Sequence, residues 1–148
     1  MVPEQIEREI VIDAPVERIW AMLTEAEQIK QWFAYDGATI DPRPGGALVM
    51  TWKEHGTHHA RIERIEPERL FSYRWARLRD EQPGAGNSTL VEFTLTPEGS
   101  GTRLRVVESG FTALDLPESE QAESAAENVQ GWSGSFSSLK EHAERQAA

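Results

Sequence analysis

Apolar and polar positions alternate over Gln5–Asp13, with Ile6, Ile10 and Ile12 on one side, which is the period of a half-buried strand. The alternation stops at Asp13-Ala14-Pro15, where Asp13 or Ala14 is placed to cap a helix and Pro15 suits its first turn. Val16, Ile19, Trp20 and Leu23 then recur at helical spacing and form one apolar face. Thr24 and Glu27 have the spacing of a capping box, which predicts a second short helix carrying Ile29, Trp32 and Phe33.

From Gly37 the period falls to two. A short strand over Gly37–Asp41 ends at Pro42-Arg43-Pro44-Gly45-Gly46, a turn or bulge. Leu48, Met50 and Trp52 share one face, and Thr57–Glu66 follows a turn at His55-Gly56. Phe71, Tyr73 and Trp75 alternate with Ser72, Arg74 and Ala76. After a loop over Arg79–Ser88, Val91, Phe93 and Leu95 alternate, and Leu104 and Val106 close the series with Glu108 in the same parity. Strands joined by short turns predict an antiparallel meander. The tail is helical, with Asp115 and Glu118 placed to cap its start and Val129, Trp132, Phe136, Leu139 and Ala143 on its apolar face.

The order strand, two short helices, strands, long helix predicts an α+β domain of helix-grip type spanning 1–148, without linker or repeat. One helix is about 10 Å wide, whereas six or seven strands at about 4.8 Å spacing span near 30 Å. The sheet is therefore expected to curve around the C-terminal helix. That helix contains Gly131-Trp132-Ser133-Gly134-Ser135, and each interior glycine costs about 1 kcal/mol relative to alanine. Two readings of the glycines stand side by side: close approach of backbone to a strand, or missing side-chain volume that leaves a cavity over the sheet.

Composition narrows the chemistry. A net charge of −10 disfavours nucleic acid and anionic membranes as partners, and the arginines are interleaved with acids rather than clustered. There is no cysteine, so disulfide and thiolate chemistry are excluded. The longest apolar run, Ala47–Met50, is too short to span a bilayer, and the first residues have no secretory pattern, so a cytoplasmic location is expected. His58 and His59 are adjacent on a strand and point to opposite faces, and no ligand sits at a metal spacing near them or His55; neither a metal nor a cofactor is expected. No serine-nucleophile, phosphate-cradling or dinucleotide motif is present. The candidate ligand-contacting residues are Trp52, His58, Tyr73, Trp75, Phe93, Glu108, Trp132, Ser135 and Phe136: aromatic walls with a few polar groups to orient a ligand.

The succession Ile12-Asp13-Ala14-Pro15, Ile19-Trp20, Leu23-Thr24, Trp32-Phe33, Pro44-Gly45-Gly46, Glu66-Pro67-Glu68-Arg69-Leu70 and Tyr73-Arg74-Trp75 resembles the SRPBCC (START/Bet v 1-like) superfamily. Within it, Val91–Pro97, Gly101-Thr102-Arg103-Leu104, Ser109-Gly110-Phe111 and Gly131-Trp132 are most similar to the bacterial branch named for the C-terminal domain of the activator of heat-shock protein 90 ATPase. The resemblance implies a helix-grip fold and a small hydrophobic ligand, lipid-like or aromatic and polyketide-like, held between sheet and helix. It also implies two alternatives: an enzyme of cyclase or hydrolase type with Glu108 or His58 as acid/base, or a partner of a chaperone or regulatory protein. A monomer or homodimer is expected.

Overall fold

The computed structural model describes residues 2–147; Met1 and Ala148, the ends of the domain expected over 1–148, lie outside the described residues. Seven antiparallel strands form one curved sheet: β1 (Gln5–Ile12), β2 (Gly37–Ile40), β3 (Ala47–Trp52), β4 (Gly56–Glu66), β5 (Leu70–Ala76), β6 (Ser88–Glu98) and β7 (Gly101–Ser109). Their spatial order is β1-β7-β6-β5-β4-β3-β2, so β2 to β7 form the expected meander and β1 closes it by pairing with β7. The helices are α1 (Val16–Thr24), α2 (Ala26–Trp32) and α3 (Glu118–Ala147), with a short 3-10 turn at Phe111–Ala113.

The inward positions are those the alternation selects. Ile12, Leu48, Met50, Ile62, Phe71, Tyr73, Val91, Phe93, Leu95, Leu104 and Val106 are buried against Trp132, Phe136, Leu139 and Ala143 of α3 and Ile19, Leu23, Ile29 and Trp32 of the short helices. Curvature has a local cause at β4, whose register with β5 shifts between Ile62 and Arg64. There Gly45 N–H donates to Ile62 O (2.7 Å) and Ile62 N–H to Gly46 O (2.9 Å), docking the turn onto the bulge. A Cβ on Gly46 would lie 2.0 Å from Asp41 O, so the turn closes only around glycine.

Three capping expectations fail. Thr24 ends α1 instead of opening α2; its hydroxyl donates to Trp20 O (2.8 Å), while Glu27 pairs with Lys30 (3.2 Å). Thr24 lies inside α1, so the cap position of α2 falls to Glu25, which makes no side-chain cap bond. Pro15, in extended conformation, takes the cap position of α1, and Asp13 instead gives its backbone N–H to Glu144 Oε2 (2.9 Å). Asp115 likewise sits ahead of α3 with its N–H on Gly86 O (2.8 Å), tying the β5–β6 loop to the start of the helix.

The placement of α3 is asymmetric, and this creates the site. Its backbone comes close to β1, the 3-10 turn, α1 and α2, and stands off the middle of the sheet. Polar ties fix that position. Arg8 Nε donates to Ser133 Oγ (2.6 Å), Lys140 Nζ to Val11 O (2.9 Å), and Gln146 joins Arg18 (2.6 Å) and Gln31 (2.9 Å). Among the described residues, no helix is long and apolar enough to cross a membrane.

Candidate functional site

Where α3 stands away from β3, β4 and β5, a cavity of about 470 Å³ remains. Its walls are Phe33 after α2, Trp52 of β3, His58 of β4, Trp75 and Ala76 of β5, Thr89 of β6, and Ser124, Asn128, Gly131, Trp132 and Ser135 of α3. It opens to solvent between His55, Arg77 and Leu78 on the sheet side and Glu127 on the helix side, all exposed.

The helical contribution follows from spacing. Ser124, Asn128, Gly131 and Ser135 lie four, three and four residues apart, one stripe of small and polar residues along α3 beside the apolar Trp132/Phe136/Leu139 stripe. The two glycines differ in use. Nothing lies within 4 Å of a Cβ built on Gly131 or Gly134, so neither permits a close backbone approach. Only Gly131 borders the cavity. Of the two readings of the glycines, missing volume beside the sheet describes Gly131 and neither describes Gly134.

The aromatic wall is fixed by hydrogen bonds. Trp52 Nε1 donates to Phe33 O (2.7 Å). Trp75 Nε1 donates to Glu108 Oε2 (2.9 Å) and Thr89 Oγ1 (3.0 Å), and Trp132 Nε1 donates to Glu108 Oε1 (2.9 Å). Phe33, Trp75 and Trp132 are near parallel: Phe33 is inclined 16° to Trp132 and 27° to Trp75, and the two indoles are inclined 26° with centroids 5.7 Å apart. Trp52 stands at 86° to Phe33, and edge-on to His58 at 5.7 Å. With every indole N–H of the wall already engaged, what the wall offers a ligand is ring surface.

Glu108 lies one side chain behind this wall, fully buried on β7. Besides the two indoles, its carboxylate accepts from Thr89 Oγ1 (2.5 Å) and from Asn128 Nδ2 (3.0 Å to each oxygen). Four side chains from β5, β6 and α3 thus converge on one acceptor, the satisfaction a buried carboxylate requires. Its charge reaches Tyr73, whose phenol is pushed well above its ordinary range, first by burial and then by the negative charge of Glu108. Polar side chains also reach the lining. Ser135 presents a hydroxyl, and the His58 nitrogens sit 3.5 and 3.3 Å from the carbonyls of Ala76 and His55.

Residues 13–144 match the family described as activator of Hsp90 ATPase homolog 1-like protein. The chain belongs to that family. Solved structures agree in fold. Protein MLL2253 from Mesorhizobium loti is 27% identical with a TM-score of 0.79, covering 95% of this chain and 97% of its own. The Aha1 of Colwellia psychrerythraea, solved as a dimer, is 19% identical with a TM-score of 0.74 over 95% of this chain and 96% of its own. DynU16, described as a protein of the dynemicin biosynthetic locus, is 22% identical with a TM-score of 0.75; the match takes in 98% of this chain but 49% of DynU16. The last two are likenesses of fold. No curated protein matches the sequence. The family is the SRPBCC branch that the sequence motifs resemble, and the curved sheet around a long terminal helix is its helix-grip architecture.

In this activator of Hsp90 ATPase homolog 1-like chain the sequence-derived site residues fall into three places. Trp52, His58, Trp75, Trp132 and Ser135 line the cavity together. Glu108 sits behind the wall and holds it. Tyr73, Phe93 and Phe136 are buried in the core, with Tyr73 and Phe93 around a gap of only about 10 Å³ and Phe136 packed against Phe93 and Trp132. Phe33, Ala76, Thr89, Ser124, Asn128 and Gly131 line it too and are not among the sequence-derived contacts. The small/polar stripe on α3 is the signal that points to Asn128 and Gly131; Phe33 and Thr89 carry no comparable mark. Among the described residues, no group of three or more His, Asp or Glu is placed to hold a metal ion.

Proposed function

We propose that this protein binds a small, largely apolar molecule, lipid-like or aromatic and polyketide-like, in the cavity between α3 and strands β3–β5. The observation that carries the reading is an open, aromatic-walled space of about 470 Å³ bordered by a helical glycine that nothing crowds. That volume lies in the range of small-molecule sites, about 300–1,000 Å³. Burying roughly 200 Å² of apolar ligand surface at about 25 cal/mol per Å² contributes on the order of 5 kcal/mol before the costs of association. The likeness to DynU16, a protein of a biosynthetic locus, puts the same fold in a setting of small-molecule chemistry. Trp52, Trp75 and Trp132 supply the contact surface, Ser135 and His58 the orienting groups, and Glu108 the rigidity of the wall. Glu108 is not on the lining and both its oxygens are engaged, so it supports the cavity rather than acting as acid or base within it. The chaperone-partner alternative draws on the family name alone.

The test is a titration of the purified protein with the uncharged probe N-phenyl-1-naphthylamine, read by probe emission and by quenching of tryptophan fluorescence. Native mass spectrometry of fresh protein, seeking a co-purified small molecule, runs beside it. Saturable one-site binding is expected. No saturable binding and no co-purified mass at any protein concentration would overturn the reading.

A further inference from the structure

The occupant's charge is open in the proposal above, and the way the wall is built bears on it. Three indoles and a phenyl ring line the cavity, and each indole N–H is already engaged, by Phe33 O, Thr89 Oγ1 or Glu108. With those positive edges engaged, what the rings leave to a ligand is π surface, the negative part of an aromatic ring. Directly behind Trp75 and Trp132 lies a carboxylate with no cationic partner among the described residues: the donors to Glu108 are two indoles, one hydroxyl and one amide. An indole N–H can only donate, and one sits on each oxygen, so the group is held as an acceptor on both sides. Its charge acts through protein rather than water, where it is far less screened than the exposed Arg77 and Glu127 at the mouth. Those two mouth residues are of opposite sign, on the sheet and helix sides, and leave the floor to decide.

We infer that the cavity selects an organic cation, an alkylated ammonium group seated against Trp52, Trp75 and Trp132 over the Glu108 carboxylate. The inference rests on the cavity being a ligand site, and it adds the sign of the ligand's charge and the residue that sets it. Glu108 acts here as a specificity-determining residue through the wall, without touching the ligand.

The experiment is competition against bound N-phenyl-1-naphthylamine by three probes of similar shape: choline, the neutral 3,3-dimethylbutan-1-ol and the anionic 3,3-dimethylbutanoate. Choline is expected to displace the probe at about tenfold lower concentration than the alcohol, with the anion weakest, and raised salt is expected to leave this order in place. Glu108→Gln is expected to bring choline and the alcohol to within about threefold, while Glu127→Gln at the mouth keeps the order. Equal displacement by choline and the alcohol, or a preference lost in Glu127→Gln, overturns the inference while the cavity reading stands. If Glu108→Gln does not fold, the wild-type order and the Glu127→Gln result still decide. Absence of N-phenyl-1-naphthylamine binding together with no co-purified small molecule overturns both, and a co-purified molecule without a cationic group overturns the inference alone.

Discussion

Replacing Glu108 by leucine keeps apolar volume on β7 and removes the acceptor from four donors at once. Their fates differ. Trp75 keeps Thr89 Oγ1 at 3.0 Å, and Asn128 borders the cavity, where water reaches it. Trp132 is 3% exposed, and its Nε1 hydrogen bond is the one to Glu108 at 2.9 Å. Leaving such a donor unpaired costs about 1–3 kcal/mol, and the bonds lost by Thr89 and Asn128 add about 1–2 kcal/mol. Relief from holding a carboxylate out of water offsets part of this. The net expectation is a loss of about 2–4 kcal/mol in urea unfolding at neutral pH, with the denaturant slope unchanged. A double-mutant cycle isolates the cause. In Glu108→Leu/Trp132→Phe the orphaned donor is gone as well, so the double mutant is expected to be more stable than the sum of the single losses by at least about 1 kcal/mol. If Glu108→Leu matches the wild type, or the coupling is zero, the carboxylate does not hold the wall.

Three further outcomes follow from the fold. Gly131→Ala and Gly134→Ala meet no atom within 4 Å and are each expected to raise stability by up to about 1 kcal/mol, seen as a melting temperature higher by about 2–4 °C. Gly46→Ala drives a Cβ into Asp41 O at 2.0 Å, and a loss of about 1–3 kcal/mol in chemical unfolding is expected. Glu144 is held below the ordinary carboxylate value of 4.5, first by the Asp13 N–H and then by Lys140. A depressed folded value means the stabilisation is full above pH 4.5 and is lost as pH falls through the folded value. The stability advantage of wild type over Glu144→Gln is therefore expected at neutral pH and to shrink on acidification; an advantage that is constant down to about pH 3 contradicts it.

Much of the fold is legible because each strand's burial is written locally. The period-two runs around Met50, Tyr73, Phe93 and Val106 name both element and face, and short turns leave few ways to order the meander. Caps are less legible, because Thr and Asp near a helix end have several backbone groups in reach. Thr24 turned back to Trp20, and Asp13 was taken up by Glu144, which is 131 residues away. The site was half legible for the same reason. Parity placed Glu108 inward, but its donors come from β5, β6 and α3, and no local pattern says that Trp75, Thr89, Asn128 and Trp132 meet. Nor does parity separate a core ring such as Phe93 from a lining ring such as Trp75. That difference comes from the lean of α3 toward β1, fixed by ties such as Arg8 to Ser133 and Lys140 to Val11.

The most direct measurement compares two leucines on one helix. Gly131 borders the cavity and Gly134 does not, and neither has a neighbour within 4 Å of its would-be Cβ, so both variants are expected to fold. In titrations with N-phenyl-1-naphthylamine, Gly131→Leu is expected to weaken binding at least about tenfold, the loss of roughly 1.4 kcal/mol of contact, while Gly134→Leu binds as the wild type does. Unchanged binding in Gly131→Leu, or an equal loss in both variants, would contradict the account.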